Sequence, residues 1–353
     1  MASKTMASLK QLEQQCDIGV EVESHLDKLF KIIGWSPADL EEDLARFIET
    51  IPGSARIASN DLLNAGGKRI RPLLALMACG ATGGKPSDAM AVATAVEMLH
   101  TGTLLHDDVI DEAPLRRGKP SAHQVWGNSI AVLSGDFCIF AALNSLLQKS
   151  DLVLIERAME TVHAMVAGEL IQLEQRSRDA NADKGIYFDV IERKTASLFG
   201  FATFGGARCA KASAAQLELL DQYGRNLGLG FQIVDDVLDL SGEPSVVGKA
   251  LGQDIKEGIV TLPVLFAIEE KPSLLKDVQL ARELHQNADE ATTMQPLIAS
   301  IIRTVQDGDA LDRAQTVAVD YTQAAYQSLT SLPQSRYKQA LSFCAEYLTS
   351  RRL

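Results

Sequence analysis

Positive charge is scarce in this sequence. Its 34 lysines and arginines face 46 aspartates and glutamates, for a formal net charge of −12. No basic face can dominate such a field, which argues against a nucleic-acid partner. Aromatic residues make up only 5% of the chain, while Ala and Leu abound, a balance that leans towards helix. The five cysteines (Cys16, Cys79, Cys138, Cys209 and Cys344) are scattered without a CxxC pair. That pattern suits a reducing compartment and offers no zinc site. No apolar run reaches the length of a membrane span, and "MASKTMASLKQLEQQ" lacks an apolar signal core. The expected location is the cytoplasm.

Strand-like alternation is missing as well. Helical periodicity takes its place, as in "DLEEDLARFIETI" and "LLDQYGRNLGLGFQIVDDVLDL", where apolar residues recur at spacings of three and four. Residues 275–353 carry alternating charges and Ala/Leu faces, as surface helices of a bundle do. The breakers between segments ("NAGGKRIRP", "ATGGKPSD", "DEAPLRRGKPS", "SGEPSVVGKALG", "EKPS") are too short to be domain linkers. The expected fold is all-α, a single-domain helical bundle. Residues 51–353 form its main part, and residues 1–50 add a helical extension, either part of the same domain or flexible at its start.

Two helical segments are apolar nearly all round and belong at the centre of such a bundle: residues 89–111 and 228–240. Both end in the same pattern, DDVID and DDVLD. Within each, the first and last aspartates share a helix face (Asp107 with Asp111, Asp235 with Asp239), while Asp108 and Asp236 lie ~100° around. Pro114 and the Ser241–Gly242 pair stop the two helices soon after. The carboxylates therefore crowd helix C-termini, where the dipole already disfavours anions. A solvated helix end explains one such cluster. Two of them, each ending a helix too apolar for the surface, point to hard divalent cations held by oxygen ligands, Mg²⁺ above all.

Basic residues accompany them. "GGKRIRP" sets Lys68, Arg69 and Arg71 on a glycine-preceded loop, with Pro72 at a helix start, where backbone N–H groups favour an anion. Arg116 and Arg117 follow the first cluster, Lys194 and Thr195 sit in "ERKTAS", and Lys249 follows the second cluster. Arginine's planar fork suits phosphate oxygens. Metal-type carboxylates beside these cations predict a polyphosphorylated substrate.

These motifs, together with "LLHDDVIDEAPLRRGKPSAH", "GELIQ", "ERKTASLF", "GFQIVDDVLD" and "GKALGQDIKEGIVTLP", resemble the trans-isoprenyl (polyprenyl) diphosphate synthases over roughly residues 50–350. The resemblance implies a helical bundle around a deep central cavity, usually a homodimer, with residues 51–353 as catalytic domain. It implies repeated condensation of isopentenyl diphosphate onto an allylic diphosphate. It also implies Mg²⁺, three ions per site and replaceable by Mn²⁺, and no nucleic-acid partner. Asp107, Asp111 and Asp235 match direct metal ligands, with Asp108, Asp236 and Asp239 supporting through water. Arg116, Lys194 and Lys249 match the grip on the allylic diphosphate. Lys68, Arg71, His100 and Arg117 match the isopentenyl diphosphate site, and Thr195, Gln172 and Gln232 line the reaction zone. Many members carry lysine where this chain has Ile259, so one diphosphate contact is absent here. A class I terpene cyclase carries an Asn/Ser/Glu-type second motif, unlike DDVLD, and a non-catalytic partner subunit tends to lose aspartates that this chain keeps.

The helix face leading back from Asp107 would form the wall of a product tunnel. Short-chain members often block it with an aromatic four or five residues before the first motif, where this chain has the small Thr103 and Gly102. Each open turn adds ~5.4 Å. The expectation is a long-chain product, delivered by peripheral membrane contact, with Leu99, Met98 or the "GDFCIF" helix as tunnel floor. Shorter geranylgeranyl- or farnesyl-type products are the alternative.

Overall fold

A computed structural model describes residues 25–34, 36–64, 67–177, 183–241, 251–286 and 291–349. In chain order its helices are α1 (His25–Ile33), α2 (Pro37–Ile48), α3 (Gly53–Asn64), α4 (Ile70–Ala81), α5 (Met90–Ile110), α6 (Ala122–Trp126), α7 (Asn128–Leu147), α8 (Leu152–Ser177) and α9 (Lys184–Ile191). They continue as α10 (Ser197–Cys209), α11 (Ala214–Ser241), α12 (Gln253–Lys256), α13 (Leu262–Glu270), α14 (Leu274–Gln286), α15 (Ala291–Asp307), α16 (Ala310–Leu329) and α17 (Arg336–Thr349). The all-α expectation stands. The sequence concealed one small exception, an antiparallel hairpin of β1 (Leu115–Arg116) and β2 (Lys119–Pro120). Its turn needs positive φ at Arg117 (53°) and Gly118 (75°).

The two helices singled out by their apolar character do occupy the centre. On α5 every residue from Val92 to Leu99 is buried. On α11 the run Leu227–Gly230 is buried, as are Ile233, Val234, Val237 and Leu240. Helix α5 packs chiefly on α7 and α4, and α11 on α16 and α10. One apolar core gathers α1–α5, α10 and the first half of α11; a second gathers α9, the end of α11 and α13–α16. Helix α11 runs through both, and the Tyr223 hydroxyl donates to the Leu341 carbonyl at 2.7 Å, tying α17 against it. Each aspartate cluster therefore closes a central helix.

Helix α7 departs from expectation. Small polar residues interrupt its sequence, yet over its 20 residues it is long and apolar enough to cross a membrane by length and composition. Only a third of that stretch is buried. Leu133, Phe140 and Leu147 of α7 stand exposed, as do Leu152, Met159, Val166 and Leu170 along α8.

Candidate active site

Helix α5 delivers the first cluster. Asp107 and Asp111 line a cavity of about 330 Å³, whose wall also includes Arg116, Gln172, Lys194, Thr195, Gln232 and Asp236. Asp111 accepts from Arg176 Nη1 at 2.7 Å. Asp107 lies 3.9 Å from Lys194 Nζ, which pairs with Glu169. Burial pushes the Asp107 carboxyl up to about 6, with Glu169 and Asp111 adding to it and Lys194 and Arg116 opposing. Asp108, one step round the helix, turns inward. It is 1% exposed and accepts from Arg116 Nε at 2.7 Å and Nη2 at 2.6 Å. This buried ion pair fixes Arg116.

The second cluster is held differently. Asp236 accepts from the Tyr187 hydroxyl at 2.5 Å and from Gln232 Nε2 at 2.9 Å, and Gln232 Oε1 in turn accepts from Thr195. Burial pushes Asp236 up to about 7, which the two hydrogen bonds oppose and Asp235 reinforces. Asp239 accepts from the backbone N–H groups of Gln253 and Asp254 at the start of α12. Asp236 lines the cavity. Asp235 interacts electrostatically with Arg71.

Lys194 rides on a π-helical turn, Glu192–Ala196, of the kind that often marks function. Burial lowers its pKa, but Asp107 and Glu169 outweigh this and hold the ammonium charged. Gln172 places its amide oxygen 3.3 Å from both Lys194 Nζ and Arg176 Nη2, in the orientation that satisfies both groups.

A second basic cluster lies beside the first. Arg71 stacks 4.7 Å from the Phe199 ring, with burial lowering its pKa to about 10 against the pull of Glu97 and Asp235. Lys68 Nζ sits 5.9 Å from the Tyr347 ring. The Arg117 guanidinium reaches the same loop, its Nη1 3.3 Å from where a Cβ on Gly67 would stand. His100 is driven well below its usual 6.5 by burial and by Arg71, Arg117, Arg116 and Arg69. It is therefore neutral at pH 7. Arg69 belongs to the scaffold. At φ 48° its side chain turns inward to Glu97 (2.6 Å), Glu41 (2.8 Å) and the Leu63 carbonyl (3.0 Å), anchoring the loop between Lys68 and Arg71.

Lys249 lies outside the described residues. The tunnel assignments need correction. Met98, nine residues before Asp107, falls on the opposite face of α5, and a Cβ on Gly102 would stand 2.8 Å from the Gly135 carbonyl and 2.9 Å from Ile139. Gly102 and Gly135 form a close crossing of α5 and α7. Leu104 lines the cavity, Thr103 bonds the His100 carbonyl one turn behind Asp107, and Leu99 is buried at 1%.

Among the described residues no three acidic, histidine or cysteine side chains converge as a closed metal cage. Yet all-oxygen donors from both clusters face one cavity, and two of them are held at raised pKa by burial. That donor set fits hard divalent ions whose coordination is completed by water and phosphate oxygens.

Residues 55–301 match the polyprenyl synthetase family. A short chain isoprenyl diphosphate synthase of Methanothermobacter thermautotrophicus is 35% identical over 83% of this chain and 89% of its own length. An all-trans-nonaprenyl-diphosphate synthase (geranyl-diphosphate specific) of Rhodobacter capsulatus is 38% identical over 80% of this chain and 85% of its own. The crystal structure of a polyprenyl synthase from Caulobacter crescentus CB15, complexed with calcium and isoprenyl diphosphate, superposes with a TM-score of 0.85. It shares 32% identity and is covered over its whole length by 95% of this chain.

Proposed function

The chain belongs to the polyprenyl synthetase family, and from that premise we propose that it builds a long all-trans polyprenyl diphosphate by adding isopentenyl diphosphate repeatedly to an allylic diphosphate. The observation that carries this reading is the meeting of two aspartate clusters, from α5 and α11, at one cavity ringed by Arg116, Arg176 and Lys194.

Asp107 and Asp111 on one side and Asp235 and Asp236 on the other would hold Mg²⁺, or Mn²⁺ in its place, and such an ion would supply positive charge to the diphosphate. Arg116, fixed by Asp108, and Lys194 hold the allylic diphosphate oxygens as the C–O bond breaks and its electron pair leaves with the diphosphate. Arg71, Lys68, Arg117 and neutral His100 hold isopentenyl diphosphate alongside. Its double bond supplies the electrons for the new C–C bond to the allylic carbon. The resulting cation loses a proton to the released diphosphate, which leaves an allylic diphosphate longer by one unit. Thr195, Gln172 and Gln232 keep the reaction zone polar but uncharged.

The small Thr103 behind Asp107 and the similarity to a nonaprenyl synthase favour a long product. The similarity to a short chain synthase keeps a geranylgeranyl- or farnesyl-length product as the second reading. The exposed apolar faces of α7 and α8 suit a homodimer. A cytoplasmic enzyme touching a bilayer only to deliver product completes the proposal. Purified protein incubated with Mg²⁺, isopentenyl diphosphate and an allylic primer should release diphosphate. Its dephosphorylated product should migrate with long polyprenol standards, and EDTA should stop the reaction. A product halting at farnesyl or geranylgeranyl length selects the second reading, and metal-independent turnover contradicts both.

A further inference from the structure

The cavity wall also includes the turn Gly258–Ile259–Val260 and Arg282 of α14. Arg282 Nε donates to the Gly258 carbonyl at 2.8 Å. Gly258 has φ +76°, and a Cβ on it would stand 3.3 Å from Arg282 Cγ. The side chain is thus threaded tightly beneath the turn. The residue is only 7% exposed, and its Nη1 is removed from solvent without a hydrogen-bond partner. Burial lowers the guanidinium pKa, and no carboxylate acts against that. Every other arginine that lines this cavity has an acid: Arg116 has Asp108, and Arg176 has Asp111.

A buried guanidinium without an anion is costly. The Nε bond explains why Arg282 lies under the turn. It does not explain why a charge sits there, since a neutral donor would serve the Gly258 carbonyl equally. The missing anion is one that arrives in the cavity. The turn residue beside it, Ile259, brings no charge of its own.

We infer that Arg282 is a diphosphate-binding residue, reaching the cavity from α14 to serve an anion on the side where Ile259 is apolar. This rests on the prenyltransferase reading of the same cavity. Arginine suits the task because its fork can hold a carbonyl with one nitrogen and phosphate oxygens with another.

The test compares wild type, Arg282→Gln and Arg282→Gln/Ile259→Lys by calorimetric titration with inorganic diphosphate in Mg²⁺, by the KM of each substrate, and by thermal unfolding. Loss of the cation should weaken diphosphate binding about tenfold or more. It should raise the KM of one diphosphate substrate more than it lowers kcat, with the unfolding midpoint held or raised. Lysine at position 259 should recover most of the lost affinity. An Arg282→Gln protein with wild-type diphosphate affinity and KM overturns the inference, as does one whose midpoint falls and whose affinity lysine at 259 does not restore. If Arg282→Gln does not fold, Arg282→Lys decides: diphosphate affinity near wild type supports a cation role, and lost affinity in a folded protein overturns it. A wild-type protein that binds no diphosphate with Mg²⁺ would instead overturn the reading of the whole site.

Discussion

The two aspartate clusters carry nearly the same sequence, DDVID and DDVLD, and are stabilised by opposite means. Around the first stand charges: Arg116 on Asp108, Arg176 on Asp111, and Lys194 near Asp107. Around Asp236 and Asp239 stand neutral donors: the Tyr187 hydroxyl, the Gln232 amide and two backbone N–H groups. Burial lifts both carboxyls, Asp107 to about 6 against the pull of Lys194 and Arg116, and Asp236 to about 7 against the Tyr187 and Gln232 hydrogen bonds. Ion pairs hold the first cluster, and neutral donors hold Asp236 and Asp239 of the second. One motif thus performs two electrostatic tasks.

The most severe way to break this comparison is to remove a carboxylate from each side. Asp107→Ala and Asp236→Ala should each lower kcat by about 10³-fold, read as diphosphate release at saturating substrate. Near-normal turnover in either would remove that cluster from the chemistry. Arg176→Leu strips Asp111 of its ion pair and should destabilise the metal-free protein by about 3 kcal/mol, measured by denaturant unfolding. Tyr187→Phe removes only a neutral donor, at a cost of about 1 kcal/mol. Its larger signature should be a Mg²⁺ requirement raised at least about tenfold; an unchanged Mg²⁺ titration would separate Tyr187 from the second cluster.

The smallest effect lies in pH. Both carboxyls titrate above the ordinary 3.8, so the folded metal-free protein holds protons that the unfolded chain releases. Their contribution falls as pH rises from about 4, and the fall ends near pH 6 for Asp107 and near pH 7 for Asp236. Relative to wild type, Asp236→Asn and Asp107→Asn should therefore each gain a few degrees in unfolding midpoint, the gain growing as pH rises from about 4 towards 7. The difference from wild type cancels His100, whose shift acts in the opposite direction. A gain that does not grow with pH in either variant would show that burial does not raise that carboxyl.

Much of this was legible in the chain. Apolar character all round placed α5 and α11 at the centre, and the four-residue spacing within each motif put Asp107 and Asp111 on one face. Helix rotation within the fold was not legible. It decides that Asp236 is buried against Tyr187 and Gln232, and that Gly102 meets Gly135. A bulky side chain at position 102 therefore meets the α7 backbone before it meets any product. Arg176, Tyr187 and Arg282 were also missed, because each reaches the cavity from a helix remote in sequence and outside either aspartate motif. Tyr187 did leave a trace, seven residues before Lys194 and so two turns back on nearly the same face. For Arg282 only its burial without an acid gives the signal, and that exists in three dimensions alone.

The most direct test of the central claim, that these carboxylates bind diphosphate only through divalent cations, is a calorimetric titration of the wild-type protein with inorganic diphosphate, with Mg²⁺ and again in EDTA. The account predicts saturable binding with Mg²⁺ and, in EDTA, only the much weaker binding that the basic side chains give alone. Equal affinity in EDTA would contradict it, since the arginines and lysines alone would then suffice and the two aspartate clusters would be left without a purpose.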